Sequence, residues 1–503
     1  MRLWRAACAA VCALSLAGTA WHLFHNAAPP SYDDGWYLEY SFRFFHALRG
    51  GPLALLREYT ESFGFKAPLI SLLPLPLYAL FGPSERIAAW ANLPLLALAL
   101  WGVFGVARRL YGERAAWGAA AALALAPIVY GVSRIYFVEC LLTALVCCAV
   151  REMLRPGPPR RRGARVGFWL GLGLLGKVLF PLYIIGPAWA LRRELRDSAK
   201  SALLIGGIIA ASWYAFNTPA VVGFALSAGF GRIARDYGGF PLAPEILAHY
   251  GGTLGRDALS WPYLAAALAL GAAAWRRRPT GWRWGSSERL LAAWIGLPLL
   301  VFTLGVNKEI RYAAPALPAF AVAVGALAAG LSRRASGAAL VAALALLPLG
   351  VFCSQTFGAP RMARLNHNGP PSADPGWERG AVVDALAAAA PGGATAAVAL
   401  EHRLFNANNL SSLAASRGLP LRFVNLGYAQ ASVEGALIRL KDKGARYLIF
   451  VDGTVPELPL FLNRANDALR ARVSSGALPA RRLAVIPIAD GLTAELYGLT
   501  ERP

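Results

Sequence analysis

The sequence predicts a polytopic α-helical membrane protein with a C-terminal soluble α/β domain. Three observations predict it. Of 503 residues, 56% are hydrophobic and only 16% charged, against roughly 25% charged in soluble globular domains. Apolar stretches of about 20 residues, the length that spans a bilayer, recur through the first two thirds of the chain. The excess of basic residues, a net charge of +22, falls largely in short clusters between those stretches, as in proteins that use Lys and Arg to fix their orientation. A soluble protein of this charge would point to nucleic acid; the distribution of the charge argues against that partner.

The first apolar run, residues 5–25, follows Met1-Arg2-Leu3-Trp4-Arg5. It is long for a signal peptide and reads as a retained helix with a cytoplasmic N-terminus. The basic clusters set the rest: Arg108, Arg109 and Arg114; Arg151, Arg155, Arg160, Arg161, Arg162 and Arg165; Arg192, Arg193, Arg196 and Lys200; Arg276, Arg277 and Arg278; Arg333 and Arg334. The positive-inside rule makes all of them cytoplasmic. Helices are expected near 87–107, 115–131, 136–152, 200–217, 258–275, 288–306, 310–332 and 336–353. The stretch 166–191 lies between two cytoplasmic clusters and must cross an even number of times. A break near Gly176-Lys177 makes it a hairpin with an outward tip. The total is about eleven crossings.

This topology gives a transmembrane domain over 1–353 with outer loops at about 29–86 and 218–257, and an outer domain over 354–503. Long domains translocate largely regardless of charge, so the outer arginines do not conflict. The six cysteines, Cys8, Cys12, Cys140, Cys147, Cys148 and Cys353, lie in or beside apolar helices, so no disulfide framework holds the outer domain. Its β-like runs at 395–400, 421–426, 447–451 and 483–488 alternate with helical patterns at 411–417, 433–443 and 461–473. That alternation predicts a small α/β layer. It has no glycine-rich phosphate fingerprint, which argues against a nucleotide site.

Charged residues near the outer surface carry the candidate chemistry. The first outer loop opens Ser31-Tyr32-Asp33-Asp34-Gly35-Trp36-Tyr37, and its continuation is aromatic and amphipathic, suited to an interfacial helix. Asp33 and Asp34 read equally as helix caps or as a general base at the membrane surface. Glu139 enters an apolar helix just after Ser133-Arg134. An ionisable residue there is a functional candidate, because a mid-helix charge costs about 2.5–3.5 kcal/mol on the mildest scale; an Arg134–Glu139 pair that anchors the helix end is the plainer reading. Lys66, Lys177 and Arg311, the last within Asn307-Lys308-Glu309-Ile310-Arg311-Tyr312, are each accounted for singly as solvated or snorkelling side chains. Together they set several cations on the side that holds the carboxylates, which suits an anionic lipid headgroup.

These residues, in this order, resemble the lipid-phosphate-sugar-dependent glycosyltransferases of the GT-C fold, in particular the protein O-mannosyltransferases and the bacterial aminoarabinose transferases that modify lipid A. The family's first-loop Asp-Glu-x-x-Tyr is matched by Asp33-Asp34-Gly35-Trp36-Tyr37. Its Lys-Pro-Pro-Leu-like element is matched by Lys66-Ala67-Pro68-Leu69, with Phe81-Gly82 following. Further elements are Arg109-Leu110-Tyr111-Gly112, Ser133-Arg134 with Glu139, Gly171-Leu172 leading to Lys177, and Arg311-Tyr312 with Pro315 and Pro318. Three positions depart from the pattern: Asp34 replaces Glu, Glu139 replaces Asp and Ala67 replaces Pro.

The resemblance implies an enzyme of the bacterial inner membrane with its C-terminal domain in the periplasm. It would move a sugar from a polyprenyl-phosphate donor to a lipid, glycan or protein acceptor. Asp33 would take the acceptor's proton for an in-line, inverting attack, with Asp34 and Glu139 beside it. Lys66, Arg134, Lys177, Arg311 and Tyr312 would hold the donor phosphate, and Tyr37 and Lys308 would belong to the substrate loops. No cofactor is required; a divalent ion, where one binds, would fall to Asp34 and Glu139, whose oxygens suit it. The rival readings are a lipid or sugar transporter and a non-catalytic envelope assembly protein. The sequence shows no internal repeat of the kind transporters often carry, and an assembly role leaves the charged set without a purpose.

Overall fold

The computed structural model describes residues 1–231, 244–276, 284–305, 309–358, 369–373, 376–426, 432–453, 455 and 460–500. Lys308, Arg277 and Arg278 lie outside the described residues. The chain divides into two compact units. One comprises Met1–Phe24, Tyr59–Ile70 and Trp90–Pro370; the other comprises His25–Glu58, Ser71–Ala89 and Pro371–Pro503.

The first unit is helical. Among the described residues, six helices are long and apolar enough to cross a bilayer, or up to eight if each of two bent pairs is one span. The bends have local causes. Pro127 opens a new helix after Ala124, turning the path by 64°, because proline lacks the N–H that would continue the ladder and suits a first turn. Ser260, at φ 68°, turns the chain by 100° and accepts from the Tyr263 N–H. A count of about eleven also requires Val138–Met153, Pro159–Gly176 and Phe180–Ala190; the first and last of these have 16 and 11 residues, and the middle one begins with arginines.

Val138–Met153 is the centre of this unit. Every residue in it except Arg151 is buried, as expected of a helix with no polar face. Around it, small residues let helix backbones close up. A Cβ on Gly167 would stand 2.5 Å from the Ala202 carbonyl oxygen, and one on Gly325 would stand 2.3 Å from the Ala119 nitrogen. The break expected near Gly176-Lys177 is present: Pro159–Gly176 and Phe180–Ala190 are separate helices, with Lys177 extended between them. The helix expected over 200–217 runs further, over Ala199–Phe230.

The second unit is built on a five-stranded sheet of order β2-β1-β3-β5-β4. Its strands are β1 (Ala394–Val398), β2 (Leu421–Asn425), β3 (Tyr447–Asp452), β4 (Ala480–Ala489) and β5 (Leu492–Leu499). The first three pair in parallel, and β5 runs antiparallel to both β3 and β4. Apolar clusters fill both faces: Val382, Leu386, Phe405 and Leu410 with Ile449 on one, and Leu440, Leu448, Phe450 and Leu469 on the other. Burial on both faces explains why the parallel strands read as continuous apolar runs. Among the described residues after 376, β5 and the Arg379–Ala389 helix add to the elements expected from the sequence. The segment expected as the first outer loop is also divided. The Tyr32–Arg49 helix groups with the C-terminal sheet, whereas residues 59–70 group with the membrane helices.

Candidate active site

Glu139 occupies the first turn of the Val138–Met153 helix, and its side chain is fully buried. Phe137, extended at φ −134°, caps that helix. Lys177 sits in the break between two helices, and its Nζ donates to Glu139 Oε1 at 2.5 Å. Arg311 Nε lies 3.8 Å from the same oxygen, and another guanidinium nitrogen lies 3.4 Å from Glu309. A buried carboxylate is costly without a paired cation, so this arrangement explains how Glu139 is tolerated. Three rings enclose the group. Lys177 Nζ stands 4.6 Å from the centre of Tyr312, and the Arg311 guanidinium 4.3 Å from that of Phe137. The fully buried Tyr183 donates to the Tyr312 carbonyl at 2.8 Å. The cations keep an open edge, with side-chain exposures of 17% for Lys177 and 22% for Arg311. Two carboxylates, the buried Glu139 and the partly exposed Glu309, thus face the two cations.

Lys66 follows a tight turn in which Phe63 and Gly64 both adopt positive φ, 57° and 66°. A non-glycine residue there is strained and persists only where its surroundings over-determine it. The surroundings do so: Phe63 is buried, Tyr59 hydrogen-bonds Ser212 at 2.8 Å, and Asn217 Nδ2 donates to the Thr60 carbonyl at 2.9 Å. Ala67 packs with Leu175, Trp213 and Val221. Because Leu175 is two residues before Lys177, the Lys66 and Lys177 segments share one apolar cluster.

Arg134 is placed elsewhere. Its guanidinium donates to Thr356 Oγ1 at 2.5 Å and to the Gln355 carbonyl at 3.3 Å, and lies 4.6 Å from the Tyr130 ring centre. It closes the C-terminal end of the Ala335–Phe357 helix, where a cation complements the helix dipole. The Arg134–Glu139 anchoring pair is therefore replaced by two separate arrangements, because extended Phe137 breaks the helix path between them.

In the other unit, Ser31 rather than either aspartate holds the N-cap position of the Tyr32–Arg49 helix, and Ser31 Oγ donates to Asp34 Oδ2 at 3.2 Å. Asp33 and Asp34 lie in the first helical turn, where carboxylates favour the helix dipole. Asp34 is buried and Asp33 half-buried. Tyr37 is buried, and its carbonyl accepts from Ser71 Oγ at 3.0 Å. Among the described residues, no three His, Cys, Asp or Glu side chains gather where a metal ion would be held.

Residues absent from the sequence reading include Tyr183, Asn217 and Asn92, whose Nδ2 donates to the Ile135 carbonyl at 2.5 Å ahead of Phe137. Asparagine within an apolar helix is itself the signal that finds the last two, since such residues are conspicuous in lipid-facing sequence.

Residues 66–216 match the family model described as dolichyl-phosphate-mannose-protein mannosyltransferase. The search of curated proteins gave no match. Among solved structures, ArnT from Cupriavidus metallidurans, bound to undecaprenyl phosphate, is 17% identical with a TM-score of 0.59, covering 98% of each chain. The arabinofuranosyltransferase AftD from Mycobacteria is 15% identical with a TM-score of 0.57, covering 99% of this chain and 40% of AftD. The oligosaccharyltransferase AglB from Archaeoglobus fulgidus, in complex with an inhibitory peptide and a dolichol-phosphate, is 12% identical with a TM-score of 0.53, covering 88% of this chain and 69% of AglB. These likenesses agree with the motif resemblance, and the chain has the GT-C fold shared by these membrane glycosyltransferases.

Proposed function

We propose that this protein transfers a sugar from a polyprenyl-phosphate donor to an acceptor at the outer face of the membrane. The observation that carries the reading is the buried Glu139 carboxylate, which holds Lys177 and Arg311 at a partly exposed edge. Lys66, Glu139 and Lys177 all fall within the segment that matches the mannosyltransferase model. The undecaprenyl phosphate of the ArnT structure supports the choice of donor class.

In this reading the acceptor oxygen attacks the anomeric carbon in line, its proton passes to Asp33, and the lipid phosphate leaves. Lys177, Arg311 and Lys66 balance the charge that grows on the departing phosphate. Fixed donors aimed at developing charge are worth about 2.7–4 kcal/mol of barrier each. Glu139 holds the two cations in place, and Tyr312 packs against the Lys177 ammonium.

The test uses the full chain in lipid nanodiscs with labelled polyprenyl-phosphate sugars, following release of free polyprenyl phosphate. Envelope mass spectrometry with and without the gene finds the missing sugar. Asp33→Asn is expected to insert and express normally and to release no lipid phosphate. Normal turnover by purified Asp33→Asn refutes the general-base role. Movement of the donor across the bilayer without its cleavage would instead favour a transporter.

A further inference from the structure

We propose that the C-terminal α/β layer is a positioning device for the acidic turn of the first outer loop, acting through Asn408 and Asn409. This rests on the reading of Asp33 as general base. Three contacts within the second unit converge on residues 30–35. Asn408 Nδ2 donates to the Tyr32 carbonyl at 2.9 Å, and Asn409 Nδ2 donates to the Pro30 carbonyl at 3.4 Å. Gly35 meets the same two residues: a Cβ there would stand 2.8 Å from the Asn408 carbonyl carbon and 2.9 Å from the Asn409 nitrogen. Those atoms are backbone and cannot swing away. The glycine beside Asp33 and Asp34 is therefore a packing requirement, and the turn is held by both hydrogen bonds and close packing.

The clamp is rigid because its own polar groups are engaged. Asn406 Oδ1 accepts from the Asn409 N–H at 2.9 Å, and Asn409 Oδ1 accepts from the Asn406 N–H at 3.0 Å. This reciprocal cap starts the Ala407–Ser416 helix. Arg379 donates to the Asn409 carbonyl at 3.1 Å and pairs with Glu85 at 3.0 Å, and Ser412 donates to Glu85 at 2.7 Å. Further along, His46 Nε2 hydrogen-bonds the Ala415 carbonyl at 2.9 Å, so the helix that carries Asp33 is fixed at both ends against the same partner. Capping needs account for Asn406 and Asn409. They do not account for the Asn408 side chain, which bonds Tyr32.

Asn408 is half-buried, so Asn408→Ala removes one amide donor without opening the core. Misplacing a reacting group by about 1 Å costs on the order of 100-fold in rate. Asn408→Ala is expected to lower kcat by about 10- to 100-fold, with KM for the lipid donor and the melting temperature unchanged. Asn408→Gln, which keeps an amide donor, is expected to recover part of the loss. Wild-type kcat in Asn408→Ala, with Asp33→Asn inactive, overturns the clamp and leaves the general base standing. Gly35→Ala gives a second reading, with a folded, fully active protein again overturning the clamp. Full turnover in Asp33→Asn overturns both proposals together.

Discussion

Replacing Lys177 with Met leaves Glu139 fully buried with its nearest cation removed. The magnitude follows from the geometry. Lys177 Nζ is 2.5 Å from Glu139 Oε1, and Arg311 Nε is 3.8 Å from it. Coulomb attraction scales inversely with distance, so at one effective dielectric Arg311 retains roughly two thirds of what Lys177 provides. Removing one partner of a buried pair ordinarily costs about 3–5 kcal/mol. The remaining cation and the partial exposure of Lys177 put this case near the lower end, at about 3 kcal/mol. Glu139→Gln has the complementary fault, setting two cations side by side with no carboxylate between them. The double variant removes both faults, and its loss should fall short of the sum by about 0.5–3 kcal/mol. The assay is reversible unfolding in mixed micelles for the wild type, both single variants and the double variant, with lipid-phosphate release measured in parallel. A Lys177→Met protein within about 0.5 kcal/mol of wild type, or strictly additive losses, refutes the claim that the pair is what permits a carboxylate in this helix.

Arg134→Met should lower unfolding stability by about 1–3 kcal/mol, because the Gln355 carbonyl and Thr356 hydroxyl at the Ala335–Phe357 helix end lose their buried donor; the fraction that folds should keep its turnover, and a selective loss of kcat at full stability would reassign Arg134 to the phosphate. Glu401 gives a pH test. Burial pushes its carboxyl up from an ordinary 4.5 to about 8, against the Ala407 N–H and Arg439, which pull it down. Between these values the folded chain holds a proton that the unfolded chain has released, so stability falls as pH rises through that window, by up to about 1.4 kcal/mol per pH unit. Glu401→Gln should match wild type near pH 4.5 and exceed it increasingly up to pH 8, as read from hydrogen exchange of β1 and the Ala407–Ser416 helix in the full chain; parallel pH curves for the two proteins would refute this.

The parts of the molecule that were legible in the sequence are those that follow from solvent and chain geometry. Apolar length located most of the helices. The requirement for an even number of crossings between two arginine clusters located the break at Lys177, and Glu139 stood out because an ionisable group is costly in such a helix. What was not legible is pairing. Arg134 precedes Glu139 by five residues and looks like its partner, yet one extended residue at Phe137 sends the arginine to Gln355 and Thr356, more than two hundred residues away in the chain. The Tyr32–Arg49 helix has an apolar face that suits a membrane interface and suits a protein partner equally well. Hydrophobic pattern says that a face must be covered without saying by what, and part of the cover is the Ala407–Ser416 helix through contacts such as His46 to Ala415. Strand β5 is a different case: the Asp490-Gly491 dipeptide that joins it to β4 is a two-residue turn signal in the sequence itself, and Gly491 takes a positive φ of 68° there.

The same distinction explains why the acidic turn and its clamp looked unrelated. The motif Asp33-Asp34-Gly35 displays its chemistry in two adjacent carboxylates, so a reading of residue types finds it. Asn406-Ala407-Asn408-Asn409 displays only a helix start, since asparagine at such a position is what capping alone would select. The Asn408 and Asn409 bonds to Tyr32 and Pro30 connect the two, and the close approach of Gly35 to the Asn408 backbone gives the glycine a reason that neither segment contains by itself. A Cβ-sized change at position 35 and the loss of one amide at position 408 should therefore have the same kinetic signature, a fall in kcat at constant KM. Two unlike perturbations giving one signature would be hard to explain by local damage to either segment.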